Sequence, residues 1–192
     1  MSPIFLFGGV DHLVFSEIVI TPSEAEFVKI TNPTANDIGL TNYYLTDGTD
    51  ISNGKFYYQL TGGLNYWSGS GSDFICRFPS GYTLSAGTSV TISLRDSSTY
   101  ANYFGENADL TLADDLLDAI DGISTRGSNA AKLGNSAETL ILFYWDGSSA
   151  TVQDVDYLLW GNNSFGIDKS GVSGYTSDTP AASQSYLPVH SV

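Results

Sequence analysis

Three oxygen-bearing side chains are evenly spaced in one short loop of the sequence, residues 46–54. Asp47, Asp50 and Asn53 stand there among glycine, serine and threonine residues. Carboxylate and amide oxygens are the hard ligands that Ca²⁺ prefers, although this spacing is not that of an EF-hand loop. The loop therefore suggests a calcium site, with the alternative that these residues only shape turns.

A second set of carboxylates is spread over both ends of the chain: Glu17, Glu26, Asp154 and Asp156. They would form one cluster, again suited to calcium, if the first and last strands met at one end of the fold. Asp154 and Asp156 are expected to share a strand face because side chains alternate with period two. Paired carboxylates could also serve a hydrolase, but a glycosidase needs a sugar cleft that the sequence does not indicate.

The sequence lacks the other common catalytic signatures. It has no G-x-S-x-G elbow, no H-E-x-x-H helix, no P-loop and no G-x-G-x-x-G turn between strand and helix. Its two histidines, His12 and His190, lie in opposite terminal segments, and neither has an identifiable nucleophile or orienting acid. We therefore predict no enzymatic activity, no catalytic residues and no cofactor other than the hypothesised Ca²⁺.

Four aromatic residues lie beside or within a loop rich in glycine and serine, residues 62–72. They are Tyr57, Tyr58, Tyr66 and Trp67. Exposed rings on a sandwich can stack on sugars or anchor a protein partner, so these four are candidate ligand-binding residues. The alternative is that Tyr57 or Tyr58 packs inward while its neighbour lines the outer sheet.

Most of the chain consists of short apolar segments between turn residues, which is typical of a β-sandwich. Strands are predicted at residues 14–20, 26–31, 40–46, 55–60, 74–78, 90–94, 139–145 and 155–160. In the second strand, Glu26, Val28 and Ile30 share one face. Glu26 begins that strand, where its carboxylate can stay hydrated or accept backbone N–H groups. Glu17 lies within an apolar run, and burying it unpaired would be costly.

One interval, residues 109–123, has helical spacing instead. Its apolar residues recur every three to four positions, at Leu112, Leu116, Leu117 and Ile120. Thr111 suits an N-cap and Gly122 a C-cap. We predict one amphipathic helix over about residues 110–122, inserted between strands, with a solvated acidic outer face.

The charge balance excludes one class of partner. Lys and Arg total 7 against 21 Asp and Glu, which gives a net charge of −14. Such a chain repels a phosphate backbone, so we expect no nucleic-acid partner. Cys76 is the only cysteine, which leaves no internal disulfide. No apolar run approaches the roughly 18 residues of a membrane span, and residues 3–7 are too short for an intact signal peptide.

Several stretches, in the same order along the chain, resemble a lamin tail domain. The opening ones are Ser-Glu-Ile at 16–18, EFVKITNPT at 26–34 and LTNYYLTD at 40–47. The family pattern there is roughly S-E, a loop, E-F-[VI]-E-[LI]-x-N-P-T, and L-x-x-[WY]-x-L-x-[DN]. FPSGYTLSAG at 78–87 resembles the family's proline-glycine turn. Its closing strands resemble residues 133–140, 146–147 and 155–157.

This resemblance implies an all-β, immunoglobulin-like β-sandwich, here with one inserted helix. It also implies a bacterial member, since animal lamins carry this domain behind a long coiled coil and no heptads occur here. Bacterial relatives are typically modules of exported or surface proteins. We therefore expect an extracellular or cell-surface location, attached domains in the full-length protein, and a protein or a cell-surface glycan as partner. Residues 49–73 and 96–132 are long for the family.

The expected organisation has three parts. Residues 1–12 are an N-terminal extension, residues 13–167 the lamin-tail-like sandwich, and residues 168–192 a Ser/Thr/Gly/Pro-rich tail whose end, near Leu187 and Val189, could dock as an edge strand. The expected function is non-catalytic binding or tethering. The alternatives are a calcium-dependent carbohydrate-binding or adhesion domain and, less favoured, a carboxylate-based hydrolase.

Overall fold

The computed structural model describes residues 10–188. Residues 1–9 of the predicted N-terminal extension, and Val189 and His190 near the other end, lie outside the described residues. Within residues 10–188, no helix combines the length and the apolar character that a membrane crossing requires.

The described chain is built mainly of short strands, with one α-helix. In chain order they are β1 (Val14–Val19), β2 (Phe27–Thr31), β3 (Ile38–Gly39), β4 (Tyr43–Thr46), β5 (Thr49–Asp50), β6 (Lys55–Phe56), β7 (Ile75–Arg77), β8 (Thr83–Leu84), β9 (Ser89–Ser93), α1 (Ser97–Phe104), β10 (Leu110–Thr111), β11 (Leu117–Asp118), β12 (Glu138–Tyr144) and β13 (Gln153–Trp160). Short 3₁₀ helices are Ser23–Ala25, Ile51–Asn53, Tyr57–Gly62, Asn163–Phe165 and Ala181–Ser183.

Two sheets form the layers of the sandwich. The first has four strands in the order β1, β2, β9, β10, and the second has five in the order β11, β7, β4, β12, β13. The pairs β3–β8 and β5–β6 form two small additional sheets. This arrangement of mainly antiparallel strands in two facing sheets confirms the predicted all-β, immunoglobulin-like sandwich.

The alternation read in the second strand is present in β2. Val28 and Ile30 are fully buried between the sheets, and Glu26 just before them is also buried. β2 pairs antiparallel with both β1 and β9, and the residue after it, Asn32, uses its side chain to hold the chain as it leaves the sheet. The strand therefore lies in the middle of the first layer, where its alternate side chains fill the core.

An interior strand of the second sheet, β12, is buried on both faces. Leu140 and Leu142 pack between the sheets, whereas Ile141 and Phe143 point to the outer face. A sheet that is covered on both sides needs a continuous apolar run rather than an alternating one. The outer face therefore has its own covering layer.

That covering layer comes from two segments outside the sandwich strands. The 3₁₀ helix Tyr57–Gly62 places Tyr57 and Leu60 against the outer face, and Tyr175 of the C-terminal segment packs there too. The predicted strand at 55–60 is therefore wrong beyond Phe56. The Phe56 N–H donates to Asn65 O and to Gln59 Oε1, and the 3₁₀ helix begins at the next residue.

The helix predicted over residues 110–122 is also wrong. Leu110–Thr111 pairs with β9, and a single turn then follows, in which the N–H groups of Asp115 and Leu116 both donate to Thr111 O. This turn brings Leu112 and Leu116 into the core without a continued helix, because a single α-type turn already places residues four apart on the same side.

The α-helix of the structure is α1, Ser97–Phe104. Asp96 caps its N-terminus by accepting the Thr99 N–H at 2.7 Å, and Gly105 ends it with a φ of +75°. The positive φ suits glycine, which has no Cβ to oppose it. The helix is therefore defined by its caps and lies upstream of the predicted one.

The C-terminal segment reaches the free edge of the second sheet. Leu187 forms a parallel bridge with Trp160, the last residue of β13. Its N–H donates to Leu159 O at 2.9 Å, and its carbonyl accepts the Gly161 N–H at 3.0 Å. The segment from 168 to 188 is thus laid over the outer face and returns along the sheet edge.

Candidate functional site

The carboxylates of the loop predicted to bind calcium accept hydrogen bonds from other groups of the protein. Asp50 Oδ1 accepts the Ser52 hydroxyl at 2.7 Å and Oδ2 accepts the Asn53 side-chain amide at 2.6 Å. Asp47 is buried, and its two oxygens accept the Phe74 N–H at 3.2 and 3.3 Å. Asp47 and Asp50 do line one open cleft of about 470 Å³. Asn53, the third predicted ligand, serves as a donor to Asp50.

Two further carboxylates, Asp73 and Glu138, line that acidic cleft. Burial, reinforced by the negative charges of Asp73 and Glu138, raises the pKa of Asp47 well above its ordinary value. Burial is also the main reason that the pKa of Glu138 rises to about 7. The cleft therefore holds carboxyl groups with raised proton affinity. Among residues 10–188, no three His, Cys, Asp or Glu side chains are grouped so that they could hold one metal ion.

The second predicted calcium set is dispersed. Glu17 pairs with Lys29 Nζ at 2.6 Å on the surface. Glu26 is buried and accepts the backbone N–H groups of Lys132, at 2.7 Å, and Leu133, at 3.4 Å. The sequence left two possibilities for the Glu26 carboxylate. The prediction that it stays hydrated is wrong, and the prediction that it accepts backbone N–H groups is confirmed.

Asp154 and Asp156 point to opposite faces of β13, so the expectation of a shared face is wrong. The pairing with β12 slips by one residue here: Leu142 faces Asp156 while Phe143 faces Asp154. Val155 is thus an extra residue, a β-bulge, which reverses the alternation locally. Asp156 turns toward the first sheet and accepts the Phe15 N–H at 2.6 Å. Asp154 turns to the outer face.

Three of the four predicted ligand-binding aromatics are interior residues. Tyr57, Tyr58 and Tyr66 are buried in the apolar cluster on the outer face of the second sheet, and the partly buried Trp67 packs against the same cluster. Apolar rings gain more from covering the outer face of the sheet than from contact with water. The structure therefore does not present the exposed stacking platform that the sequence suggested.

An exposed aromatic patch exists elsewhere, at the end of α1. We call Tyr103 and Phe104 the α1 patch; they are 50 % and 38 % exposed. Phe104 rests against Tyr100 at 4.5 Å and against Phe27 of β2 at 5.8 Å between ring centroids. Tyr103 meets Phe104 edge to face at 4.9 Å. The sequence signal for this patch is the Tyr100–Tyr103–Phe104 spacing of three and four residues, which places the rings on one helix side.

A buried lysine is the second feature that sequence reasoning missed. Lys169 is 4 % exposed, and its Nζ lies 2.5 Å from Asp154 Oδ2 and 3.2 Å from Asp178 Oδ2. The Tyr57 hydroxyl accepts from the same nitrogen at 2.9 Å, and Nζ lies 4.9 Å from the centre of the Tyr175 ring. We call these five residues the lysine cluster. The only sequence signal was a lone lysine in a segment otherwise poor in charge.

An open cleft of about 370 Å³ adjoins the lysine cluster. Its walls include Asp154, Lys169 and Asp178, together with Tyr157 and Gln184. The Tyr157 hydroxyl donates to Gln184 Oε1 at 3.0 Å and accepts the Ile167 N–H at 2.8 Å. The cleft is polar, and several of its wall groups are hydrogen-bonded to each other or to the nearby backbone.

The two sheets and the bulged closing strand define an immunoglobulin-like β-sandwich. A model of the Lamin Tail Domain family matches residues 9–158. The chain belongs to the lamin tail domain family, as the residues around Asn32-Pro33-Thr34 indicated. A comparison with curated proteins gave no match. The matched range ends before Lys169, so the covering C-terminal segment lies outside it.

Proposed function

We propose that this domain is a non-catalytic binding or tethering module of an exported bacterial protein, acting at the cell surface on a protein partner. Family membership supports an immunoglobulin-like interaction module rather than an enzyme. The bacterial origin, the export and the attached domains are extensions of that membership, suggested by the lack of heptads and by the resemblance described above.

The α1 patch is the observation that carries the proposal. Tyr and Phe are enriched in the centres of protein interfaces, where a rigid ring contributes contact area with little loss of rotamer entropy. Phe104 is held by Phe27 and Tyr100, and Tyr103 is held by Phe104, so both exposed rings are preorganised. A partner that buried them would gain binding energy without having to order them first.

The test compares two variants that each remove one exposed tyrosine. Tyr103→Ala removes the outer ring of the α1 patch, and Tyr186→Ala removes a tyrosine of similar exposure, 47 %, on the C-terminal segment. Each protein is immobilised and exposed to extract of the cell envelope, and retained proteins are quantified by mass spectrometry. We expect at least one protein to be enriched by the parent chain and by Tyr186→Ala. Its recovery should fall about tenfold or more with Tyr103→Ala, because interface aromatics often contribute over 1.4 kcal/mol.

Equal recovery by both variants would contradict the role of the α1 patch. Circular dichroism of each variant serves as the folding control, since Tyr103 is half-exposed and its removal leaves the core intact. Recovery that is lost only when Ca²⁺ is chelated would favour the calcium-dependent alternative instead.

A further inference from the structure

The lysine cluster brings an amine and a carboxylate into a reacting arrangement. Lys169 Nζ is 2.5 Å from Asp154 Oδ2, and Oδ2 is bonded directly to the carboxyl carbon Cγ. The rings of Tyr57 and Tyr175 cover the amine. Two groups held at contact distance and in a fixed orientation react as if at very high concentration.

The cluster also contains a second carboxylate next to the same nitrogen. Asp178 Oδ2 is buried and lies 3.2 Å from Lys169 Nζ, but makes no hydrogen bond of good geometry within residues 10–188. One ammonium therefore faces two carboxylates, which leaves one negative charge in excess. A carboxylate that is not needed to neutralise the lysine is free to accept and return protons.

Tyr57 distinguishes the two oxygens of Asp154 because it donates a hydrogen bond to only one of them. The Tyr57 hydroxyl donates to Asp154 Oδ1 at 2.6 Å, which leaves Oδ2 to the lysine. Burial raises the pKa of Tyr57 well above its ordinary value, so this hydroxyl keeps its proton. The donor stabilises negative charge on Oδ1 when the carboxyl carbon is attacked.

The other buried lysine of the sandwich shows a different environment. Lys132 is also 4 % exposed, but its Nζ donates to the backbone carbonyl of Gly71 at 2.7 Å. A backbone carbonyl satisfies an ammonium but cannot condense with it. Burial alone is therefore not the distinguishing property of Lys169; the adjacent pair of carboxylates is.

We propose that Lys169 and Asp154 condense to an intramolecular amide bond. The Lys169 ammonium passes a proton to Asp178, and the neutral amine attacks Cγ of Asp154. The new N–Cγ bond forms, the Cγ–Oδ2 bond breaks, and Oδ2 leaves as water with the two protons that the nitrogen loses. Oδ1 stays as the amide oxygen, bonded to Tyr57. An ammonium and a carboxylate become a neutral amide and one water, so atoms and charge balance without an oxidant or another reactant.

The bond would fasten the C-terminal segment to β13. Lys169 begins a series of turns in which Val172 N–H donates to Lys169 O, Tyr175 N–H to Val172 O and Asp178 N–H to Tyr175 O. This segment covers the outer face of the second sheet. Its only covalent connection to β13 is the chain that runs through residues 161–168. A covalent link at Lys169 would keep the segment in place under pulling force or during local opening.

The first test is the mass of the intact chain, measured after denaturation. We expect it to be lower than the sequence mass by one water, and fragmentation should give a branched peptide that joins Lys169 to Asp154. Trypsin should fail to cleave after Lys169. A chain of full mass would overturn the proposal and leave the contact as an ion pair.

Two matched lysine variants separate this bond from other losses of water, such as cyclisation at Asp-Gly sequences. Lys169→Arg should return the chain to full mass, whereas Lys132→Arg should keep the loss. Persistence of the loss in Lys169→Arg would overturn the proposal. Asp178→Asn should lower the cross-linked fraction severalfold or more, and a fully cross-linked Asp178→Asn chain would overturn the role of Asp178 in proton transfer.

Discussion

Three glutamates of the same chain show how surroundings decide what a carboxylate does. Glu17 is half-exposed beside Lys29, a pairing of the kind that contributes about 0–1 kcal/mol. Glu26 is buried, and although two backbone N–H groups donate to it, burial outweighs them and raises its pKa. Burial also raises the pKa of Glu138, to about 7, and the nearby negative charge of Asp73 adds to this rise. The apolar runs around Glu17 and Glu26 are therefore compatible with a sandwich, because one glutamate faces water and the other serves as a structural acceptor.

Glu138 should make the stability of the domain depend on pH. Its pKa is higher in the folded chain than the ordinary glutamate value of 4.5, so the folded state holds the proton more tightly. The free energy of unfolding should therefore decrease as pH rises from about 4.5 to about 7, and this contribution should be constant above that. The size for one group is on the order of 2–3 kcal/mol. Glu138→Gln should remove this slope, measured by urea unfolding at several pH values.

The control for that experiment is a carboxylate on the protein surface. Glu106 is exposed, and Glu106→Gln removes the same charge. The parent-minus-variant difference should change with pH for Glu138→Gln and stay flat for Glu106→Gln. Asp47 and Asp73 face the same cleft, and Lys132 acts on Asp47 there, so the difference, rather than the raw curve, reports on Glu138. Parallel curves for the parent and Glu138→Gln would contradict the prediction.

Among the elements, the strands that fill the core could be predicted and the helix could not. β12 and β13 are marked by an apolar run and a turn at Asp146-Gly147, and both form where expected. The leucines at 112 and 116 have helical spacing, but no helix forms there because Leu110 and Thr111 pair with β9. The helix lies upstream instead, at α1, where Asp96 caps it. α1 spans only eight residues and its aromatic spacing is confined to its second half, so its clearer sequence signals were Asp96 and Gly105.

The cap of α1 is testable by itself. Asp96→Ala should lower the free energy of unfolding by about 1–2 kcal/mol, because the Thr99 N–H loses its acceptor. Asp96→Asn keeps a capping oxygen and should lose clearly less. Urea unfolding followed by circular dichroism measures both. Equal losses in the two variants would mean that charge, rather than capping, is the contribution of Asp96.

The candidate sites depended on contacts that no local pattern contains. A single extra residue, Val155, separates Asp154 from Asp156, and period-two reasoning has no means of placing such a bulge. The lysine cluster joins Tyr57 to four residues of the stretch 154–178, which begins 97 positions later in the chain. The aromatic residues at 57, 58 and 66 were identified correctly as a group, but their burial follows from the need to cover the outer face of a second sheet.

At the scale of the whole molecule, the net charge of −14 predicts which polymers the domain avoids. Duplex DNA labelled with a fluorophore should show no rise in anisotropy on titration with the domain, even at low salt, where any attraction would be strongest. A labelled oligolysine is the opposite probe, and its binding should weaken as salt is added. Saturable, salt-sensitive binding of the DNA would refute the prediction and require a basic surface that charge counting misses.

The position of Leu187 beside β13 has a consequence for self-association. An open sheet edge presents unpaired N–H and C=O groups to which a strand from another molecule can add, which is a common start of aggregation. Leu187 occupies the groups of Leu159 and Gly161 at the end of that edge. A chain cut before this residue would lose that protection, and its last strand would become a template on which further copies could assemble.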